Sequence, residues 1–156
     1  MGLSMGGATA LSQAATDPRI EAVIADCAFD TMHNAVASRS AKATFDVGPF
    51  KDVRIPFIQQ AAQGVLEAAE AMNGLPRGAL SEADPLRAMP KLQDRPIFLI
   101  HGQEDDDTLP GNSVNLAKAN PNAQLWLVPG AKHGESYNVA KTEYQTRVLE
   151  FLRRSF

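Results

Sequence analysis

Three short segments of the 156-residue chain carry residue types that together could catalyse acyl transfer. Gly2-Leu3-Ser4-Met5-Gly6 fits the pattern GxSxG, in which small neighbours let a strand turn sharply into a helix and leave the serine hydroxyl exposed. An acidic stretch at 101–110 follows one predicted strand, and Gly130-Ala131-Lys132-His133-Gly134 follows the next. A serine, an acid and a histidine can supply a nucleophile, a base and a group that orients the base.

Each segment taken alone also has an ordinary interpretation. A Gly-rich turn before a helix is often only a cap, consecutive aspartates usually form a solvated loop, and loop histidines usually decorate the surface. The three segments nevertheless occur in the chain order serine, acid, histidine, and the last two follow successive predicted strands. This order is that of α/β-hydrolases and differs from the orders of two protease classes, which favours the catalytic interpretation.

The hydrophobic pattern predicts the elements that must position these residues. Nearly continuous apolar runs are typical of strands buried on both faces of a parallel sheet, whereas apolar residues at helical spacing predict helices. The predicted elements are a helix from about 4 to 17, strands at 21–29, 95–102 and 124–128, and helices at about 110–120 and 138–155. Their alternation predicts parallel pairing, so the residues that follow the strands should gather at one edge of the sheet.

Residues 31–94 interrupt this alternation and predict a helical insertion inside a single domain. Ala-rich pieces at about 31–42 and 56–72 are separated by Gly48-Pro49, and turn residues occupy 73–78. Four apolar residues of this insertion could line an acyl pocket or simply pack the insertion against the body: Phe45, Phe50, Phe57 and Ile58.

Composition and charge exclude several classes of partner. With 15 basic and 18 acidic residues and a net charge of −3, the chain has no footprint for nucleic acid or for an anionic membrane. The single cysteine, Cys27, excludes an internal disulfide, and no set of cysteines and histidines has zinc-site spacing. No apolar run approaches the roughly 20 residues that span a bilayer, and no targeting segment is visible, so we expect a cytoplasmic protein.

Several segments resemble α/β-hydrolases of the serine aminopeptidase-like and dienelactone-hydrolase-like branch. They are GLSMGGATA (2–10), VIADCAF (23–29), ADPLRA (83–88), RPIFLIHG (95–102), VPGAKHG (128–134) and EYQTRVLEFL (143–152). The resemblance implies the C-terminal half of an α/β-hydrolase fold, with three parallel strands, flanking helices and the helical lid. It also implies a carboxylesterase-like serine hydrolase that acts on small-molecule ester or acyl substrates without a cofactor or metal, a serine peptidase being the nearest variant.

The same resemblance assigns a role to individual residues. Ser4 would be the nucleophile, His133 the base and Asp105 the acid, and the backbone amide of Met5 would be one oxyanion donor. The acid carries an ambiguity, because the family pattern HGxxDxxVP has one residue fewer than this loop. Counting forward from the strand favours Asp105, counting back from the proline gives Asp106, and Asp107 is a third choice.

The family also places five strands and the second oxyanion donor before the nucleophile, whereas three residues precede Ser4. We therefore expect Met1 to be an internal or truncated start. The first predicted strand would then have an unpaired edge that favours a homodimer or another pairing partner. The competing hypothesis is a non-catalytic remnant or interaction module that keeps the three residues without the means to use them.

Four other residues have a structural interpretation that outweighs a functional one. His101 precedes Gly102 at a strand end and is expected to be structural, and His33 is expected on the surface or lid. Cys27 lies in an apolar strand and should behave as a small buried hydrophobe, and Trp126 should pack in the core.

Overall fold

The computed structural model describes residues 1–42, 45–47, 49–53 and 61–156. Its elements in chain order are β1 (Gly2–Leu3), α1 (Met5–Ala14), β2 (Val23–Asp26), α2 (Met32–Lys42), β3 (Phe45–Val47), β4 (Phe50–Val53), α3 (Ala62–Met72), α4 (Ala79–Glu82), α5 (Pro85–Ala88), β5 (Ile97–Gly102), α6 (Gly111–Ala119), β6 (Gln124–Val128), α7 (Ser136–Val139) and α8 (Lys141–Ser155). A turn of 3₁₀ helix at Met89–Leu92 follows α5. Across these ranges no helix combines the length and the apolar character needed to cross a membrane.

The centre of the fold is a parallel sheet with the strand order β1-β2-β5-β6. The three predicted strands, their parallel pairing and the α/β class are confirmed. The sheet contains one further strand, β1, which pairs Gly2 with Ala25 and Leu3 with Asp26. A two-residue strand carries no hydrophobic pattern from which it could be predicted. Its pairing fixes the residue before Ser4 against the end of β2.

Alternate residues of the central strands face two separate cores, one on each side of the sheet. The first core joins β2 and β5 to α1, α5, α6 and the 3₁₀ turn, and the second joins the opposite face to α8. Within β5, for example, Ile97 and Leu99 belong to the first core, while Phe98 and Ile100 belong to the second. Burial on both faces explains why this strand is a continuous apolar run.

The helices agree with the predicted ones to within a few residues. The helix predicted to begin near Ser4 begins at Met5, and the one predicted at 110–120 spans Gly111–Ala119. The closing helix is shorter than predicted, because α7 and α8 divide the segment. In α8, Tyr144 and Phe151 are buried against the sheet, as its amphipathic pattern indicated.

The insertion contains the predicted helices and, between them, a two-stranded hairpin that was not predicted. α2 and α3 correspond to the predicted pieces, but β3 and β4 between them form an antiparallel hairpin that pairs Phe45 with Val53 and Val47 with Phe50. Pro49 lies in the turn of this hairpin, between the two helices. Residues 56–60 of the predicted helix, with Phe57 and Ile58, lie outside the described residues, as do the side chains of Phe45 and Phe50.

Candidate active site

Ser4 occupies a strained turn between β1 and α1. Its backbone angles, φ 53° and ψ −119°, lie in a region that residues other than glycine rarely adopt. The turn is held because the Ser4 N–H donates to the Asp26 carbonyl at 2.8 Å and the Ser4 carbonyl accepts from the Ala8 N–H at 3.1 Å. This conformation places the serine at the N-terminus of α1 and at the carboxyl edge of the sheet.

Two of the glycines around Ser4 are required by close backbone approach. A Cβ atom on Gly2 would overlap the backbone of Gly6, and one on Gly7 would lie 3.0 Å from the Gly2 carbonyl oxygen and 3.3 Å from the Ala25 side chain. A Cβ atom on Gly6 would meet nothing within 4 Å. The sharp turn and the close packing of α1 on β2 therefore depend on Gly2 and Gly7.

His133 lies in the loop after β6 and contacts both of the other predicted residues. Its Nδ1 is 2.7 Å from Asp105 Oδ2, and its Nε2 is 3.1 Å from Ser4 Oγ. An ionised carboxylate only accepts, so Nδ1 carries the proton and Nε2 of the neutral ring can accept from the serine hydroxyl. Gly130 and Gly134, both with φ above 70°, bracket the loop and allow this path.

Asp105 is buried and accepts hydrogen bonds on both oxygens. Oδ1 accepts from the backbone N–H groups of Asp107 at 2.9 Å and Thr108 at 2.8 Å, while Oδ2 faces His133. Burial alone would raise the pKa of Asp105, but hydrogen bonds from His101, the Thr108 amide and His133 together lower it below its usual value. The carboxylate is thus kept ionised next to His133.

Asp106 and Asp107 point away from this centre. Their side chains are 76% and 55% exposed and share an ion pair with Lys42, whose Nζ lies 3.1 Å from Asp106 and 2.8 Å from Asp107. Of the three consecutive aspartates, Asp105 alone contacts His133 among the described hydrogen bonds.

His101 is fully buried beneath Asp105. Its Nε2 lies 2.7 Å from the Thr108 carbonyl oxygen and 3.3 Å from Asp105 Oδ2, and its Nδ1 lies 2.6 Å from Ser113 Oγ. Both partners of Nε2 accept, so Nε2 carries a proton, while Nδ1 forms the hydrogen bond with the Ser113 hydroxyl. His101 therefore helps to hold Asp105 in place, which agrees with the structural role expected for this histidine.

Cys27 Sγ, His101 and Asp105 bring ligand atoms within 4.8 Å of one another, a spacing that a metal ion could bridge. Burial, followed by the nearby charge of Asp26, raises the pKa of the Cys27 thiol to about 12. Both ring nitrogens of His101 and both oxygens of Asp105 already have hydrogen-bond partners, so these residues do not suit a metal ion.

The two remaining residues behave as expected. His33 is exposed on α2, and Trp126 packs against Tyr144 in the second core, with Arg147 over its ring.

Asp26 carries a second buried carboxylate beside the site, and it was not among the residues predicted from the sequence. It accepts hydrogen bonds from the hydroxyls of Ser136 and Tyr144, each at 3.0 Å. A signal was available, because Asp26 is a charged residue in the otherwise apolar run VIADCAF, and a buried charge needs specific partners.

A cavity of about 400 Å³ lies between α2 and the start of α6, beside the acid loop. Residues with polar side chains make up most of its lining: Asp30, Asn34, Ser38, Lys42, Asp106, Asn112 and Asn115. Asp30 is itself held by the amides of Asn34 and Asn115, each at 2.8 Å. The cavity could accommodate a polar group of a substrate.

Solved structures with the same fold are similar to this chain over almost all of its length. The esterase Pf2001 of Pyrococcus furiosus has a TM-score of 0.65 at 22% identity, over 98% of this chain and 51% of its own. The α/β-hydrolase GrgF of Penicillium sp. sh18 has a TM-score of 0.63 at 16% identity, over 99% of this chain and 62% of its own. The esterase domain of a Rhodothermus marinus protein has a TM-score of 0.58 at 18% identity, over 96% of this chain and 57% of its own.

The chain thus spans little more than half the length of these proteins, and at such identities the likeness establishes the fold. No curated protein matches the sequence. The α/β-hydrolase superfamily is confirmed, while the finer serine aminopeptidase-like or dienelactone-hydrolase-like branch stays a prediction. The prolyl oligopeptidase family matches residues 1–156, and the chain therefore belongs to this family of α/β-hydrolases.

Proposed function

We propose that this chain is a serine hydrolase that cleaves ester, thioester or amide bonds through a covalent acyl-enzyme. The proposal is carried by one observation, the continuous hydrogen-bonded path from Ser4 Oγ through the His133 ring to Asp105 Oδ2. Nucleophile, base and orienting acid are the three functions that such a path combines. The strained turn at Ser4 supports the same assignment.

In the first half of the reaction, Ser4 Oγ attacks the substrate carbonyl carbon while His133 Nε2 takes the hydroxyl proton. Asp105 holds the Nδ1 proton and stabilises the imidazolium. When the tetrahedral intermediate collapses, the bond to the leaving group breaks and His133 gives its proton to that group. Water then attacks the acyl-enzyme with His133 again acting as base, which releases the acid and restores Ser4.

The Met5 amide is the proposed donor to the oxyanion of the tetrahedral intermediate. Met5 is the first residue of α1, where N–H groups have no acceptor within the helix and the helix dipole favours negative charge. Loss of one such donor typically costs about 10²–10³ in turnover. The second donor of an oxyanion hole is not assigned to a residue of this chain.

A carboxylesterase-like activity on small-molecule esters or acyl compounds is the proposed reaction. Two of the similar structures are described as esterases, which supports this substrate class. Membership of the prolyl oligopeptidase family supports a second candidate, cleavage of peptide bonds by the same residues. The cavity beside the acid loop could hold a part of either substrate.

The test is the intact mass of the purified chain after incubation with a fluorophosphonate, which reacts with a serine activated by a histidine. We expect one adduct on the wild type and none on Ser4→Ala. Ser12→Ala, which removes a hydroxyl that bonds backbone carbonyls in α1 and before α5, is the matched control and should label like the wild type. A folded wild type without an adduct would favour the non-catalytic interaction module.

A further inference from the structure

Asp26 is a buried carboxylate that the proposed reaction does not use. It is the last residue of β2, lies level with Leu3 of β1 and Ile100 of β5, and is 3% exposed. A buried carboxylate is costly unless its oxygens accept hydrogen bonds.

The carboxylate of Asp26 accepts hydrogen bonds from three donors, two of which are distant in the sequence. Oδ1 accepts from Ser136 Oγ at 3.0 Å and from Cys27 Sγ at 3.2 Å, and Oδ2 accepts from the Tyr144 hydroxyl at 3.0 Å. Burial, followed by the charge of Asp26, raises the pKa of Tyr144 above its usual value, so this hydroxyl keeps the proton that it donates. The side chain of Asp26 thus joins the sheet to α7 and α8.

Asp26 also contacts both of the segments that carry Ser4 and His133. Its backbone carbonyl accepts the Ser4 N–H at 2.8 Å, whereas its side chain holds Ser136, three residues after His133. A second hydrogen bond joins the same loop to the end of β2, because the Gly134 N–H donates to Cys27 Sγ at 3.4 Å. The loop that carries His133 is therefore hydrogen-bonded to the end of β2, and the same end of β2 also holds the backbone of Ser4.

We propose that Asp26 is a positioning residue, whose bond to Ser136 holds the His133 loop at the distance where Nε2 meets Ser4 Oγ. The inference rests on the proposed serine hydrolase function for its catalytic consequence, but its structural content is independent of activity. Small displacements of catalytic groups have large effects on rate, since the reacting atoms must lie within hydrogen-bond reach.

The decisive variant is Ser136→Ala, which removes one donor and leaves the carboxylate with its other two partners. We expect the second-order rate of fluorophosphonate labelling at Ser4 to fall about tenfold to a hundredfold, the range known for hydrogen-bond partners that orient metal-ligating residues. If the substitution only lowered the fraction of folded protein, the final extent of labelling would fall while the labelling rate stayed unchanged. Ser155→Ala, whose hydroxyl bonds the backbone of its own helix, is the matched control and should keep the wild-type rate.

A second readout does not require catalysis. The proton–carbon NMR signals of the His133 ring, assigned by their loss in His133→Gln, should shift or broaden in Ser136→Ala and in Asp26→Asn, but not in Ser155→Ala. Wild-type labelling rates and unchanged ring signals in Ser136→Ala would overturn the proposal. If the wild type itself does not label, the proposed function fails, and the ring signals alone then support or overturn the positioning of His133 by Asp26.

Discussion

Three consecutive aspartates after β5 differ in what their carboxylates contact. Asp105 turns inward and accepts from two backbone amides and His133, while Asp106 and Asp107 turn outward to Lys42. The inward bonds lower the pKa of Asp105, so it stays negatively charged opposite the imidazole. Exposed ion pairs such as those of Lys42 contribute little to stability. The difference between neighbours can therefore be tested with a single substitution at each.

Asp105→Asn should lower kcat/KM for a p-nitrophenyl ester by about 10³–10⁴, because an amide that donates towards His133 Nδ1 leaves the proton on Nε2, which then cannot accept from Ser4. Asp106→Asn makes the same chemical change at the exposed neighbour and should stay within about twofold of the wild type. Initial rates of ester hydrolysis measure both. A larger loss of activity in Asp106→Asn than in Asp105→Asn would identify Asp106 as the catalytic acid.

The sequence predicted the residues of the site unevenly, and the reason is the range of the contacts involved. Ser4 and His133 are marked by local glycine patterns, whereas the loop length leaves the acid ambiguous until its side-chain direction is known. Asp26 was missed because its partners are 110 and 118 residues away along the chain, in Ser136 and Tyr144. No local spacing encodes such contacts.

At the level of elements, the turn between β1 and α1 depends on the absence of a side chain at Gly2. Gly2→Ala forces a Cβ atom into the Gly6 backbone, which cannot move without opening the turn. We expect this variant to lose most fluorophosphonate labelling and to unfold at a lower temperature than the wild type.

Gly6→Ala is the matched control for Gly2→Ala. It adds a methyl group in open space inside α1, and alanine favours the helix by about 1 kcal/mol over glycine. Labelling at the wild-type rate and an unchanged or higher Tm are expected. Equal behaviour of the two alanine variants would contradict the role of close backbone approach at Gly2.

Which elements the sequence predicted depended on their length and burial. β2 and β5 were found because burial on both faces makes them continuous apolar runs, which are distinctive of parallel strands. β6 was found from its apolar run Leu125–Val128, although only Trp126 and Val128 of this strand are buried. The hairpin Phe45–Val53 was missed because strands of three and four residues around Gly48-Pro49 show too little alternation to outweigh the helical composition on either side.

At the scale of the molecule, the sheet separates two cores of different kinds. The core on the α1 side is built from several helices, whereas the opposite core depends on α8, through residues such as Tyr144 and Phe151. Phe151 is 2% exposed, and its ring centroid lies 5.6 Å from that of Phe98. Removing this ring should therefore open a cavity that the sheet cannot close.

Phe151→Ala should lower the free energy of unfolding by about 3–5 kcal/mol, the usual cost of deleting a buried aromatic ring. Leu149→Ala removes an exposed apolar side chain from the same helix and should cost less than about 1 kcal/mol. Urea denaturation followed by the fluorescence of Trp126, the single tryptophan, reports directly on this core. Similar midpoints for both variants would contradict the dependence of the core on α8. If Phe151→Ala also slows labelling of Ser4 in the folded protein, α8 contributes through Tyr144 and Asp26 to the position of the His133 loop.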